Sequence, residues 1–326
     1  MKRVLVTGAT GFIGRHLVAR CAQDGYVVRG LVRNASARDA VSSLHEVAEG
    51  DVRDARAMKA AARDAEVVFH LAGHAHDISS FEERVYREVN VDGTRNVLSG
   101  AVDAGVRVFV FFSSVKAMGE RTRGCVDETA TETPETAYGR TKLEAERLVF
   151  GSDWDTGMRV VCLRPPLVYG PGNKGNLLRM IAAIDAGLFL PLPDTGSLRS
   201  VVHVSNLVEA ALMAANNPCA HGRCYIVADA AYSTRALYEM IVRALGKRPP
   251  RWSVPLSVLR LLARAGDALG WIRRRPFVFD SDALAKLVEP ACYSAARITQ
   301  ELGWRPRVSL EGALPELIDW YRAARG

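Results

Sequence analysis

The stretch "RVLVTGATGFIG", residues 3–14, decides how the rest of the chain is read. "RVLVTG" is short and apolar, as a strand covered on both faces is. A helical pattern follows from about Phe12 to Gln23. Between the two, Gly8, Gly11 and Gly14 fall at G-x-x-G-x-x-G. Such glycines let the backbone turn tightly and approach a pyrophosphate, whose charge the helix N-terminus stabilises. A glycine triplet alone also serves ordinary turns. In strand–turn–helix context at the start of an α/β chain, a dinucleotide site is the stronger reading.

Further apolar runs continue the pattern: "YVVRGLVR" (26–33), "EVVFHLA" (66–72), "VRVFVFFSS" (106–114) and "RVVCLRPPLVYG" (159–170). Crossover helices are expected at Asp54–Ala65, Val89–Ala104 and Thr136–Phe150. This alternation predicts a doubly wound α/β fold of the Rossmann type, a parallel sheet with helices on both faces. After about Gly170, Gly and Pro become frequent and helices dominate. We therefore expect a dinucleotide-binding domain over 1–168 and a smaller α/β substrate lobe over 169–326, with segments around 200–228 returning to the first sheet.

The 326 residues are 48% hydrophobic and 24% charged, ordinary for a globular chain. A net charge of +7 suits an acidic ligand such as a phosphate-bearing nucleotide. No Lys/Arg run interleaved with aromatics argues for nucleic acid, and Arg273–Arg275 is the densest basic cluster. Six cysteines without CxxC or Cys/His metal spacing read as reduced thiols of a cytosolic protein. Glycines break the N-terminal apolar run too early for a signal peptide. No segment is long enough to span a bilayer, so a cytoplasmic protein is expected.

Which dinucleotide binds depends on the end of the second strand. An acid there would hold a ribose 2′-hydroxyl and select NAD. This strand ends in Arg33 and Asn34, and a guanidinium suits a 2′-phosphate. NADP(H) is thus the preferred cofactor and NAD(H) the alternative. Asp51, in "EGDVRD", is placed to meet an adenine amino group, or to cap the helix that follows. In "AYGRTKLEAE", Tyr138 and Lys142 stand at i, i+4 and share one helix face. An ammonium near a phenol stabilises the phenolate and lowers its pKa.

Together, "TGATGFIG", "GDVRD", "HLAG", "NVDGTRNVL", "FSSVKAMG", "YGRTK", "LRPPLVYGPG" and "RSVVHVSNL" span most of the chain. With them the sequence resembles an extended short-chain dehydrogenase/reductase of the NAD(P)-dependent epimerase/dehydratase group. The resemblance implies Ser114 as the serine that bonds the substrate oxygen, Tyr138 as acid/base, and Lys142 as partner of the nicotinamide ribose. Ser113 is then structural. It also implies cofactor contacts at Gly8, Thr10, Gly11, Phe12, Ile13, Gly14, Arg33, Asp51, Val52, Leu71, Ala72, Gly73, Asn90 and Pro165, besides Tyr138 and Lys142. His70 is expected to be a satisfied core residue. His74, His76 and Asp77 are read as loop residues rather than metal ligands.

Sugar dehydratases of this group carry Asp-Glu directly after the catalytic residue, where this chain has Val115 and Lys116. That excludes 4,6-dehydration. Epimerisation at C4 and reduction of a 4-keto sugar both need only Ser114, Tyr138 and Lys142. Arg33 and a subgroup likeness favour NADPH-dependent reduction of a UDP- or dTDP-linked 4-keto-6-deoxy-hexosamine. A UDP-hexose 4-epimerase with bound NAD, reduction of a non-sugar ketone and a non-catalytic NADP sensor are the alternatives. Arg199 is a candidate for the substrate diphosphate, with Asn176 and Lys174 bounding the same pocket. The basic amphipathic segment 255–275 is read as lobe packing, with membrane contact as its rival. A homodimer is the remaining partnership considered.

Overall fold

The computed structural model describes residues 2–34, 41–75, 83–151, 156–173, 175–273, 277 and 279–324. The strands are β1 (Arg3–Thr7), β2 (Val27–Val32), β3 (Glu46–Glu49), β4 (Val67–His70), β5 (Val108–Phe112), β6 (Cys125–Val126), β7 (Arg159–Arg164), β8 (Leu167–Tyr169), β9 (Leu198–His203), β10 (Arg223–Ile226), β11 (Ala230–Ser233) and β12 (Cys292–Tyr293). The helices are α1 (Phe12–Gln23), α2 (Ala55–Ala62), α3 (Glu83–Arg87), α4 (Gly93–Asp103), α5 (Ala137–Val149), α6 (Asn176–Asp185), α7 (Val204–Asn216), α8 (Thr234–Ala244), α9 (Leu256–Arg273), α10 (Ser281–Val288), α11 (Ala296–Leu302) and α12 (Leu310–Ala323).

Seven strands form one sheet in the order β10-β7-β5-β4-β1-β2-β3, all pairs parallel. The period-2 alternation of strand side chains explains why these strands are apolar throughout. Val4, Val6, Phe69, Val110 and Leu163 face one core with α1, α7 and α11. Leu5, Val68, Phe109, Phe111 and Cys162 face the other, with α2, α4 and α5. The chain first runs outward through β2 and β3, then returns to place β4 on the other side of β1. That reversal opens a crevice at the C-terminal ends of β1 and β4, where ligands of such sheets bind.

The expected helix over 89–104 opens differently. Residues Glu88–Asp92 form a π-helical turn before α4, a feature that frequently marks functional sites. Beyond residue 166 a second sheet has the order β11-β9-β8. Its core joins Tyr169, Leu177, Ile181, Leu237, Ile241, Leu314 and Ile318 from α6, α8 and α12. β10 returns to the large sheet beside β7, from Arg223↔Val161 to Ile226↔Arg164.

The expectation of six reduced thiols is corrected. Cys125 and Cys292 form a disulfide with Cα atoms 4.4 Å apart, across 167 positions of chain. Parallel pairing of β6 with β12 brings the two together. Cys21, Cys162, Cys219 and Cys224 are free.

One buried ion pair ties α5 to the sheet. Arg164 at the end of β7 donates from Nε to Glu146 at 2.9 and 3.2 Å, and their side chains are 4% and 3% exposed. Burial opposes the Arg164 charge, but Glu146's hydrogen bond and charge outweigh it and hold the guanidinium above its ordinary range. Arg164→Met strands the Glu146 carboxylate, with an expected loss of about 3–5 kcal/mol in urea unfolding. Adding Glu146→Leu should recover part of that loss. A single variant as stable as the parent would contradict this role.

Candidate functional site

The glycine turn lies at the crevice. Gly8 has φ +69°, and a Cβ on it would lie 2.8 Å from the Ala72 nitrogen and 2.9 Å from the Leu71 carbonyl carbon. On Gly14 a Cβ would lie 2.1 Å from the Gly8 oxygen. Only glycine permits that approach of strand end, helix and neighbouring loop. Gly11 is the N-cap of α1 and makes no side-chain cap bond, so the helix presents its first N–H groups without a side chain in front of them. This cradle fits a pyrophosphate. Arg15 donates to the Thr10 carbonyl at 2.9 Å, Phe12 meets His16 edge-on, and Ile13 packs on the core.

At the end of β3, Asp51 accepts from Arg53 in a fork: Nε at 3.0 Å and Nη2 at 2.8 Å. The Arg53 hydrogen bond holds the Asp51 carboxyl below its usual range, burial opposes it, and the Arg33 charge adds to the lowering. Arg33 is exposed just beyond β2. A cavity of about 470 Å³ here is lined by Asp51, Arg53, Asp54, Glu88 and Asp92. The helix-cap reading of Asp51 is corrected: Asp54 caps α2, accepting from Arg56 and Ala57 N–H. Val52 is buried, and its carbonyl accepts from Asn96 at 2.9 Å.

Between β1 and β4 runs a buried chain of hydrogen bonds that motif reading does not reveal. Thr7 Oγ1 accepts from the N–H groups of Leu71 and Ala72 at 3.1 Å each, so it donates to His70 Nδ1 at 2.7 Å. His70 Nε2 then donates to Thr94 Oγ1 at 2.9 Å, and Thr94 donates to the Asn90 carbonyl at 2.6 Å. Burial, assisted by the Lys142 charge, lowers the His70 pKa to about 3 and keeps the ring neutral. Asn90, in the π-helical turn, accepts the His74 N–H at 2.7 Å and donates to Thr141 of α5 at 3.1 Å. A Cβ on Gly73 would lie 3.2 Å from both Asn90 Oδ1 and Lys142 Nζ. Loop, turn and α5 thus meet at one point.

Ser114 follows β5 and its hydroxyl accepts the Lys116 N–H. Its hydroxyl also lies close enough to Tyr138 to act on the phenol. Burial raises the Tyr138 pKa, Ser114 opposes that shift, and nearby Tyr86 adds to it. Lys142 is 3% exposed and donates to the Phe112 carbonyl at 2.9 Å. Burial lowers its pKa to about 8, against the charges of Cys162 and Glu146. The start of α5 is fixed to the serine loop by Glu120, which accepts the Thr136 hydroxyl at 2.7 Å and the Glu135 N–H at 2.7 Å. Pro165 supports the same loop, its carbonyl accepting the Val115 N–H at 3.2 Å. Ser113 is buried, its N–H donating to the Leu163 carbonyl at 2.8 Å. Tyr86, which sequence reading missed, packs edge-on to His74 at 4.8 Å; a lone tyrosine in a five-residue helix carries no motif.

The candidate substrate residues are less converged. Arg199 donates through Nη2 to the carbonyls of Lys286 and, at 3.3 Å, Glu289. Burial lowers its pKa, and its charge reaches Lys116, whose pKa burial also lowers. Asn176 is exposed at the start of α6. Its neighbour Asn173 anchors the loop, donating to Val168 and accepting from Gly175, both at 2.6 Å. Lys174, His76 and Asp77 lie outside the described residues. Among the described residues, the one cluster of potential metal ligands is Glu146, Cys162 and Cys224, where Glu146 is already paired with Arg164.

The chain is similar to known proteins over nearly its whole length. Residues 4–228 match the family described as "NAD dependent epimerase/dehydratase family". A UDP-glucose 4-epimerase of Vibrio cholerae is 33% identical over 95% of this chain and 92% of its own length. A 3 beta-hydroxysteroid dehydrogenase/Delta 5-->4-isomerase of Mycobacterium tuberculosis is 30% identical, covering 98% of this chain and 90% of its own. The crystal structure of a Thermus thermophilus UDP-glucose 4-epimerase complex with NAD superposes with TM-score 0.75 at 27% identity, covering 99% of both chains.

Between pH 6.5 and about 3 the unfolded chain binds a proton at His70 that the folded chain refuses. Stability therefore falls on acidification through this window, by about 2 kcal/mol at about pH 5. Urea midpoints at neutral and acid pH should diverge less for His70→Asn than for the parent. Equal divergence would mean that His70 is charged in the fold.

Proposed function

Because the chain belongs to the NAD dependent epimerase/dehydratase family, we propose that it inverts C4 of a UDP-linked hexose or N-acetylhexosamine around a resident NAD. The observation that carries this reading is buried Lys142, anchored on the Phe112 carbonyl at 2.9 Å one helical turn from Tyr138, with Ser114 beside the phenol. No carboxylate directly follows Ser114, since Val115 and Lys116 stand there. The sequence put ketoreduction first and epimerisation second. Likeness to UDP-glucose 4-epimerases over nearly the whole chain supports the reverse order.

The dinucleotide would lie on the cradle of Gly8, Gly11 and Gly14, with Asp51 and Arg53 towards its adenine end and Asn90, Gly73 and Lys142 towards its nicotinamide end. When bound, it supplies a reversible hydride acceptor for the sugar carbon. Ser114 holds the C4 oxygen in place. Tyr138 removes the proton of that hydroxyl and later returns it to the same oxygen. Burial keeps the Tyr138 phenol protonated at rest, so proton removal depends on a nearby positive charge. Lys142 provides it at i+4, anchored by the Phe112 carbonyl. Arg199 would meet the substrate diphosphate and Asn176 would border the pocket. Residues 1–168 would then serve the cofactor and 169–326 mainly the substrate, with 200–228 contributing to the first sheet.

Arg33 supports a second reading, the NADPH-dependent reduction of a nucleotide-linked 4-keto sugar, because its charge acts on Asp51 beside the ribose position. The two readings separate in one experiment. Purified protein incubated with UDP-glucose or UDP-N-acetylglucosamine, without added cofactor, should form the C4 epimer, and heat denaturation should release NAD. Stoichiometric NADPH consumption on a UDP-4-keto sugar, with no epimer formed, would overturn the proposal. Tyr138→Phe should lower turnover by about 10²–10⁴-fold while cofactor release stays unchanged.

A further inference from the structure

Helix α9 carries two apolar faces. Leu259, Ala263 and Gly266 are buried, and Leu259 and Ala263 pack with Leu192 and Leu284 in a small core. About a third of a turn away stands a second stripe: Val258, Leu261, Leu262, Ala265, Leu269 and Ile272, at i, i+3, i+4, i+7, i+11 and i+14. All of these are exposed, Leu261 at 68% and Ile272 at 69%. Trp271 is 85% exposed on the same helix, and Trp252 is 61% exposed in the segment leading to it. One covered face suffices to hold a helix in a fold. This many large side chains left in water on one element mark an interaction surface.

Charge identifies the occupant. At 100° per residue, Arg260 and Arg264 flank the stripe on one side and Arg273 on the other. Arg251 precedes Trp252. The only acid between 251 and 273 is Asp267, and it is turned to the neighbouring helix, accepting Ser281 N–H at 3.0 Å and Oγ at 2.6 Å. Arg260 and Arg264 also line a cavity of about 400 Å³ between α9 and α10, with Thr195, Ser281 and Glu289 among its other walls. Exposed leucines, flanking arginines and tryptophans are the composition of a helix lying in a bilayer interface. Among the described residues no helix is long and apolar enough to cross a membrane, so the contact is peripheral.

We propose that α9 docks this enzyme on an anionic bilayer surface, with Leu261, Leu262, Leu269 and Ile272 in the acyl boundary and Arg260, Arg264 and Arg273 at the headgroup phosphates. The docking is independent of the C4 chemistry. The full chain should float with phosphatidylcholine vesicles containing phosphatidylglycerol, and far less with phosphatidylcholine alone. Leu261→Glu/Ile272→Glu should lower vesicle binding by about tenfold or more, with melting temperature and turnover unchanged. Absence of flotation, or flotation that survives the double variant, would overturn the proposal. So would light scattering in which the wild type is a dimer and the double variant a monomer, because the stripe would then belong to a second copy.

Discussion

Arg164 and Glu146 meet in the interior between the last strand of the first half and the helix that bears Tyr138 and Lys142. Neither charge can be exposed or left alone at low cost, so α5 cannot rotate or slide along the sheet. On that helix Glu146, Lys142 and Tyr138 recur at four-residue intervals and share one face. Holding Glu146 against Arg164 therefore aims Lys142 at the end of β5 and Tyr138 at Ser114. The Lys142–Phe112 bond and the Glu120–Thr136 bond fix the same helix at two further points. The position of the phenol is a consequence of packing rather than of the local tyrosine rotamer.

Three titratable groups around this helix, His70 and Lys142 buried and Tyr138 half-buried, are set in a consistent pattern. His70 is kept neutral, the Tyr138 phenol is kept protonated, and Lys142 is lowered only to about 8. Lys142 thus brings its positive charge beside a neutral His70. A neutral imidazole can also serve both Thr7 and Thr94 as acceptor and donor, which an imidazolium cannot. The hydrogen-bond chain through His70 and the charge on Lys142 support one another.

Local pattern made much of this legible in advance. The helix over Phe12–Gln23 was read to the residue, and Gly8, Gly11, Gly14, Tyr138 and Lys142 declared themselves because turn chemistry and helical period act over a few positions. Errors arose where a role depended on neighbours remote in sequence or on the choice between adjacent acids. Asp51 was read as a cap, and the turn geometry assigns that role to Asp54. Cys125 and Cys292 are separated by 167 positions and carry no spacing motif. The bonds of the Arg199 guanidinium to the carbonyls of Lys286 and Glu289 were likewise beyond reach of local pattern.

The segment at 255–275 illustrates the division most plainly. Its apolar and basic residues, and their helical period, are properties of the sequence alone, as are the glycine turn, the βα alternation and the Tyr–Lys spacing. Periodicity cannot decide which of two apolar faces is covered, because both satisfy it. Tertiary structure decided that Leu259 and Ala263 meet the protein while Leu261 and Ile272 meet solvent. It likewise joined Thr7, His70, Thr94 and Asn90, and set Arg164 on Glu146. Those contacts come from strands and helices distant in the chain, and close packing settles them only when the whole fold is assembled.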